Sequence, residues 1–179
     1  MGVVFAKFKT LFVVFIVLSL IITGFSALFP SEVMTSKWIM IAGQKNDVAN
    51  RLYDLKGWQN WNDLVVGRSD LVVKTKDSLA NTGDMISWTS VNGIPGSIVI
   101  KSVDTNGLSM EIVSEKDLPV FSGISLTQRK DSVQVVWSIV EKLRWYPWEK
   151  VYGMMASDMK GPALQHSLEA FKEQVSQSK

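Results

Sequence analysis

Few side chains in this sequence could carry out chemistry. The chain has one histidine, His166, and no cysteine, so disulfides, thiolate metal sites and sites with several histidines are excluded. Carboxylates near predicted turns, such as Asp63 and Asp84, could form a paired acid–base site, but helix capping and solvation explain them more simply. We therefore predict no catalytic residue, no metal ligand and no cofactor.

The surroundings of His166 also favour a structural role. It falls in the predicted last helix, next to Leu164 and Leu168. It could act as a general base or contact a ligand, but the sequence nominates no partner for it, and a surface or half-buried position is the simpler interpretation. The turn at 93–96 lacks the Gly-Lys-Ser/Thr of a phosphate loop. An enzyme is thus the least favoured class of function.

Charge and length point to one ordinary domain. The formal net charge is +2, and Lys7 and Lys9 account for it, so the rest of the chain is neutral. A neutral domain without a basic run lacks the positively charged surface with which proteins bind nucleic acid. Beyond the apolar N-terminal segment, about 150 residues are enough to build one core.

The N-terminal segment is strongly apolar. From Leu11 to Phe29 no charge occurs, and about 19 residues at about 1.5 Å each would span about 28 Å. We predict a transmembrane anchor over 1–30, with a cleaved signal peptide as the alternative. Lys7 and Lys9 favour a single-pass protein of the bacterial inner membrane, with the N-terminus cytoplasmic and the domain periplasmic. The predicted anchor residues are Leu11, Phe15, Leu18, Ile22, Phe25 and Phe29.

The helices and strands that must position any site can be predicted from the hydrophobic pattern of the remaining residues. Val33–Ala42 reads as a strand, and residues 44–56 change to a helical period that Gly57 ends. Residues from Trp148 to about Gln177 form a long apolar stripe, which Gly161 and Pro162 should kink or divide into two helices. Between these helices, short connections favour antiparallel strands at 70–76, 84–90, 96–104, 108–115, 121–128 and 132–140.

This order of elements predicts an α+β helix-grip domain over 31–179. A curved antiparallel sheet of about six to seven strands would wrap around the long C-terminal helix, and the short helical segment would close one end. The gap between sheet and helix can hold a ligand. An open apolar volume above about 300 Å³ there would favour ligand binding, whereas a filled interior would favour an interaction role.

Four segments in this order resemble the START-like helix-grip superfamily called SRPBCC, which includes polyketide cyclase/dehydrase-like proteins. They are VANRLYDLKGWQNWN at 48–62, GSIVIKSVD at 96–104, VQVVWSIV at 133–140 and MKGPALQHSLEAFKE at 159–173. The first matches a first-helix pattern that ends in Trp-x-x-Trp, and a bacterial branch carries an N-terminal hydrophobic segment. The family often has proline before the first helix, where this chain has Gly43-Gln44-Lys45-Asn46.

The resemblance implies a ligand cavity. Its candidate lining residues are Trp58, Trp61, Trp88, Ile98, Ile100, Met110, Trp137, Met154 and Met155, although core packing is the alternative for the tryptophans and methionines. We predict a membrane-anchored, non-catalytic domain that binds a hydrophobic small molecule or lipid. The alternatives are an accessory or structural subunit of a membrane complex and, less favoured, a cyclase-like enzyme. The expected partners are the lipid bilayer, a hydrophobic ligand and integral membrane proteins.

Overall fold

The computed structural model describes residues 2–26, 28–89, 93–115 and 118–177, with the backbone alone at 2–8, 10 and 25. The helices in these ranges are α1 (Gly2–Ser26), α2 (Lys45–Tyr53), a 3₁₀ helix (Leu55–Asn60) and α3 (Pro147–Gln177). The strands are β1 (Glu32–Ala42), β2 (Val72–Lys74), β3 (Met85–Thr89), β4 (Pro95–Asp104), β5 (Gly107–Ser114), β6 (Val120–Arg129) and β7 (Ser132–Lys142). Ser90, the predicted end of the third strand, lies outside the described residues.

The described strands form one antiparallel sheet in the order β1-β7-β6-β5-β4-β3-β2. Strands β2 to β7 are neighbours in the chain, as short connections predict, and β1 closes the other side by pairing with β7 from Glu32 opposite Lys142 to Ala42 opposite Ser132. Between β4 and β5 the turn needs glycine, because Gly107 has a φ of 148°. The predicted strands are confirmed, although the one at 70–76 is shortened to Val72–Lys74.

Helix α3 continues through Pro162 as one element of 31 residues, so the alternative of two separate helices is wrong. Its first half approaches β1 closely through small residues. A Cβ at Gly153 would lie 2.4 Å from Leu143 Cδ1 and 3.0 Å from Val33 Cγ2, and Ala156 is fully buried. With one seven-stranded antiparallel sheet and α3 packed against it, the predicted α+β helix-grip architecture is confirmed for the described residues.

The core lies between the sheet and the second half of α3. Along β7 every second side chain points inward, and Val133, Val135, Trp137 and Ile139 are all at most 5% exposed. The helix contributes Leu164, Leu168, Phe171 and Val175, which recur at intervals of three and four residues.

The predicted helix at 44–56 is divided at Asp54. Helix α2 ends at Tyr53, and the Asp54 side chain then accepts a hydrogen bond from the Lys56 backbone N–H at 3.2 Å, which caps the 3₁₀ helix. This 3₁₀ turn places Trp58 and Trp61 together, with ring centroids 5.4 Å apart.

The prediction of a transmembrane anchor is wrong. No helix among the residues whose side chains the structure describes is long and apolar enough to cross a membrane. The predicted single-pass membrane localisation depended on this anchor and is therefore also wrong. Of the predicted anchor residues, the side chains of Leu11, Phe15, Leu18 and Ile22 are exposed, Phe29 is half-buried, and that of Phe25 lies outside the described residues.

Candidate ligand site

An apolar cavity of about 230 Å³ lies between the inner face of the sheet and α3. We call it the apolar cavity. Its walls come from β5, β6 and β7, from the segment that follows the 3₁₀ helix, and from the middle of α3. Its lining residues are Asp63, Leu64, Ile112, Val120, Trp137, Ile139, Met159, Lys160, Ala163, Leu164 and Ser167.

Two local patterns create this cavity. On β7, Trp137 and Ile139 point inward because alternate strand residues share one face. On α3, Met159, Ala163 and Ser167 recur every four residues and therefore line one side of the helix. Ala163 and Ser167 are small, so the helix leaves space where a larger side chain would fill it.

Asp63 and Ser167 connect the cavity wall to α3. The Asp63 backbone N–H donates to Ser167 Oγ at 3.0 Å, and the Asp63 carboxylate lies 2.9 Å from His166 Nδ1. The hydrogen bond to Asp63, followed by the attraction of its negative charge, raises the pKa of His166 above its usual value. His166 is exposed, so this pair holds the segment after the 3₁₀ helix from the outside. Sequence reasoning found no partner for His166 because Asp63 is 103 positions away.

A second, charged space of about 340 Å³ adjoins the apolar cavity and shares Val120 and Lys160 with it. We call it the charged chamber. Within it Lys160 Nζ forms an ion pair with Glu141, and Arg144 Nη1 lies 3.2 Å from Glu149 Oε1. Burial alone would lower the pKa of Lys160, but the hydrogen bond and negative charge of Glu141, with a hydrogen bond to Tyr152, raise it. Lys160 is therefore a stable cation at the boundary between the two spaces.

The predicted lining residues are placed in four different environments. Trp137 lines the apolar cavity. Trp88 lines a surface groove and packs against the Arg68 guanidinium. Met154 and Met155 lie on α3 and are more than half exposed. The fully buried core holds Trp58, Trp61, Ile98, Ile100 and Met110.

Trp61 belongs to an aromatic cluster rather than to a cavity wall. Its ring centroid lies 4.8 Å from that of Phe171 and 5.9 Å from that of Trp137. The cluster fills the space that a larger ligand cavity would need. The apolar cavity is accordingly smaller than the about 300 Å³ typical of ligand pockets.

A larger groove of about 660 Å³ lies near the C-terminal end of α3, between α2 and Leu79. Its walls carry both cations and carboxylates, among them Asp47, Arg51 and Lys56, and it lies outside the space enclosed by sheet and helix. We regard the smaller cavity as the better candidate site, because ligand sites are mostly apolar with a few convergent polar groups.

Comparison with known proteins shows the fold. No family model and no curated protein sequence matches the chain. A START superfamily protein from Mycobacterium smegmatis matches with a TM-score of 0.57 and 14% identity, over 82% of this chain and 99% of that one. A truncated norcoclaurine synthase from Thalictrum flavum matches with a TM-score of 0.59 and 17% identity, over 80% and 93%.

A third solved structure, a protein of unknown function from Staphylococcus aureus, has a TM-score of 0.64 and 12% identity, over 82% of this chain and 95% of that one. At these identities the matches establish architecture and leave chemistry open. The chain therefore has the START-like helix-grip fold that the four sequence segments predicted.

Proposed function

We propose that this domain binds a hydrophobic small molecule, or the apolar part of a lipid, without catalysing a reaction on it. The observation that carries the proposal is the apolar cavity between sheet and α3. Its volume of about 230 Å³ is below the about 300 Å³ expected for an ordinary ligand pocket, so the ligand that fits is small. At about 30 Å³ for each water-sized group, it accommodates about eight non-hydrogen atoms.

The ionisable groups at the cavity support binding over catalysis. Asp63 is already engaged with His166, and Lys160 with Glu141. A general base near neutral pH needs a pKa close to the working pH, but the pKa of Lys160 is raised further from it. These pairs fit a role in holding the walls of a binding site.

Benzene is a suitable first probe, because small rings bind to apolar cavities, although this one is open to solvent at Met159, which is 61% exposed. Met159 lines the cavity, whereas Met154 lies on the same helix outside it. In full-length protein with ¹³C-labelled methionine methyl groups, benzene should shift the Met159 signal and leave that of Met154 in place. Saturating benzene without a change at Met159 would contradict the proposal.

A variant that fills the cavity provides the control. Ala163 is exposed toward the cavity, so Ala163→Phe should occupy it without disturbing the core and abolish the Met159 response. Lys172→Phe adds the same ring to an exposed position of α3 outside the cavity and should leave the response unchanged. Equal responses from both variants would show that benzene binds elsewhere.

A second candidate function is supported by the outer face of α3. Trp148, Val151 and Met155 recur at intervals of three and four residues, and each is more than half exposed. Large exposed apolar patches mark interaction surfaces, so we also propose an accessory role in which this face contacts a partner protein. A photo-crosslinking residue at Met155 should then give a defined adduct in cells, whereas one at Lys172 should not. Equal labelling from both positions would contradict it.

A further inference from the structure

The boundary between the apolar cavity and the charged chamber restricts what a ligand can carry. Val120 and Lys160 line both spaces. A ligand whose apolar part fills the cavity therefore has Lys160 beside it where the charged chamber begins. The chemistry of its polar end must match the groups at that boundary.

Those groups are electrically balanced. Lys160 is paired with Glu141, and Arg144 with Glu149, so each cation of these pairs faces one carboxylate. Lys142 also lines the chamber, but its ammonium lies 5.5 Å from the centre of the Phe121 ring. Phe121 alternates with Val120 along β6 and so points away from the cavity. The Lys142 ammonium therefore lies on the outer face of the sheet, and the two ion pairs leave no surplus charge on the side that faces the apolar cavity.

A charged polar end would disturb these pairs. An anion that binds Lys160 is repelled by the adjacent Glu141 carboxylate, whose side chain is only 12% exposed, and a cation that binds Glu141 is repelled by Lys160. Either ion therefore meets a like charge at close range in a partly buried site, which is unfavourable. A hydroxyl group avoids this cost, because it accepts a hydrogen bond from an ammonium and donates one to a carboxylate at the same time.

We propose that the ligand is an uncharged single-chain amphiphile whose hydroxyl group binds beside the intact Lys160–Glu141 ion pair, where it can hydrogen-bond to both groups, while its chain fills the apolar cavity. This inference rests on the proposed binding function and names the class of ligand. The chain fits best at about eight carbons, given the cavity volume of about 230 Å³.

Three probes that differ only in the polar end test it: 1-octanol, octanoate and octylammonium. They are titrated by calorimetry into full-length protein at pH 7.5, with the Ala163→Phe variant as the blank for binding elsewhere on the chain. Octanol should bind at least about tenfold more tightly than either ion, since an uncompensated charge forfeits a charge-assisted hydrogen bond. Octanoate or octylammonium binding as tightly as octanol would overturn the inference.

Reciprocal variants sharpen the test. Glu141→Gln leaves Lys160 without its counter-ion and should shift the preference to octanoate, whereas Lys160→Gln should shift it to octylammonium. Lys101→Gln breaks the ion pair between Lys101 and Glu111, which lies outside both spaces, and should preserve the wild-type order. An unchanged order in both Glu141→Gln and Lys160→Gln would also overturn the inference.

The two proposals fail in different ways. If benzene shifts the Met159 methyl signal but octanol binds no more tightly than octanoate and octylammonium, only the assignment of the polar end is wrong. If neither benzene nor octanol binds, the binding function itself is wrong. The ranking of the three probes is measured on the unsubstituted protein, and Ala163→Phe serves only to subtract binding elsewhere, so a substitution that impairs folding cannot decide the outcome.

Discussion

Replacing each tryptophan of the Trp58/Trp61 pair with phenylalanine should have different costs, although both side chains are buried in the same 3₁₀ turn. Trp58 Nε1 donates to the Leu52 carbonyl at 2.8 Å, while Trp61 Nε1 has no partner among the described residues. Trp58→Phe leaves a buried carbonyl unpaired, at a cost of about 1–3 kcal/mol, and Trp61→Phe removes an unpaired donor and relieves a similar cost.

The loss of ring volume is comparable in the two variants, so it cancels in the comparison. Trp58→Phe should therefore be less stable than Trp61→Phe by at least about 2 kcal/mol. For a chain of this length that difference corresponds to about 4–8 °C in Tm. Urea unfolding followed by circular dichroism gives the free energies directly. Equal losses in the two variants, or a larger loss for Trp61→Phe, would refute the assignment of hydrogen bonds in this core.

Two further predictions concern a titrating pair and a turn. The pKa of His166 is raised by Asp63, so the pair should stabilise the fold fully below pH about 6.5 and lose that contribution as pH rises through the folded pKa. NMR titration of this single imidazole should show a raised pKa, and Asp63→Asn should lower that pKa toward its usual value, because it removes the largest cause of the shift while Glu169 and Glu173 remain. Gly107→Ala should cost more stability than Gly83→Ala in thermal unfolding: both positions have positive φ, which costs about 1–3 kcal/mol, but only at Gly107 would the new Cβ lie 2.0 Å from a carbonyl oxygen of the neighbouring strand.

The sheet could be predicted from the sequence because two local signals agree along it. Alternation along β7 gives the inward face from Val133 to Ile139, and the short turns between strands permit only antiparallel neighbours. Both signals act within a few residues, so they are visible without knowledge of tertiary contacts. The position of β1 beside β7, the last strand, follows from neither signal, because the two strands lie far apart in the chain.

The lining of the cavity could not be predicted in the same way. In the first half of α3 the large apolar residues Met154 and Met155 are exposed, while the small residues Gly153 and Ala156 are buried against the sheet. Sequence reasoning assigns the largest apolar side chains to the interior. Here close packing of helix on strand reverses that order, because only small side chains fit between them.

One pair in the site was missed although a signal for it existed. The inward positions of β7 continue in steps of two from Val133 to Glu141, which places a carboxylate on the buried face. A buried carboxylate needs a counter-ion or hydrogen-bond donors. Lys160 supplies both, but its distance along the chain hides it from local patterns.

Small residues on α3 act in two opposite ways, and the difference locates the site. At Gly153 the absence of a side chain brings the helix against Leu143 and Val33, so no space remains. At Ala163 and Ser167, about three to four turns later at about 3.6 residues per turn, small side chains line the cavity together with Ile112 and Val120, and the space between them stays open. The helix is held close to the sheet at its first half and linked to Asp63 at its second. Variation in the size of the residue at 163 should therefore change ligand capacity with little effect on the packing that defines the fold.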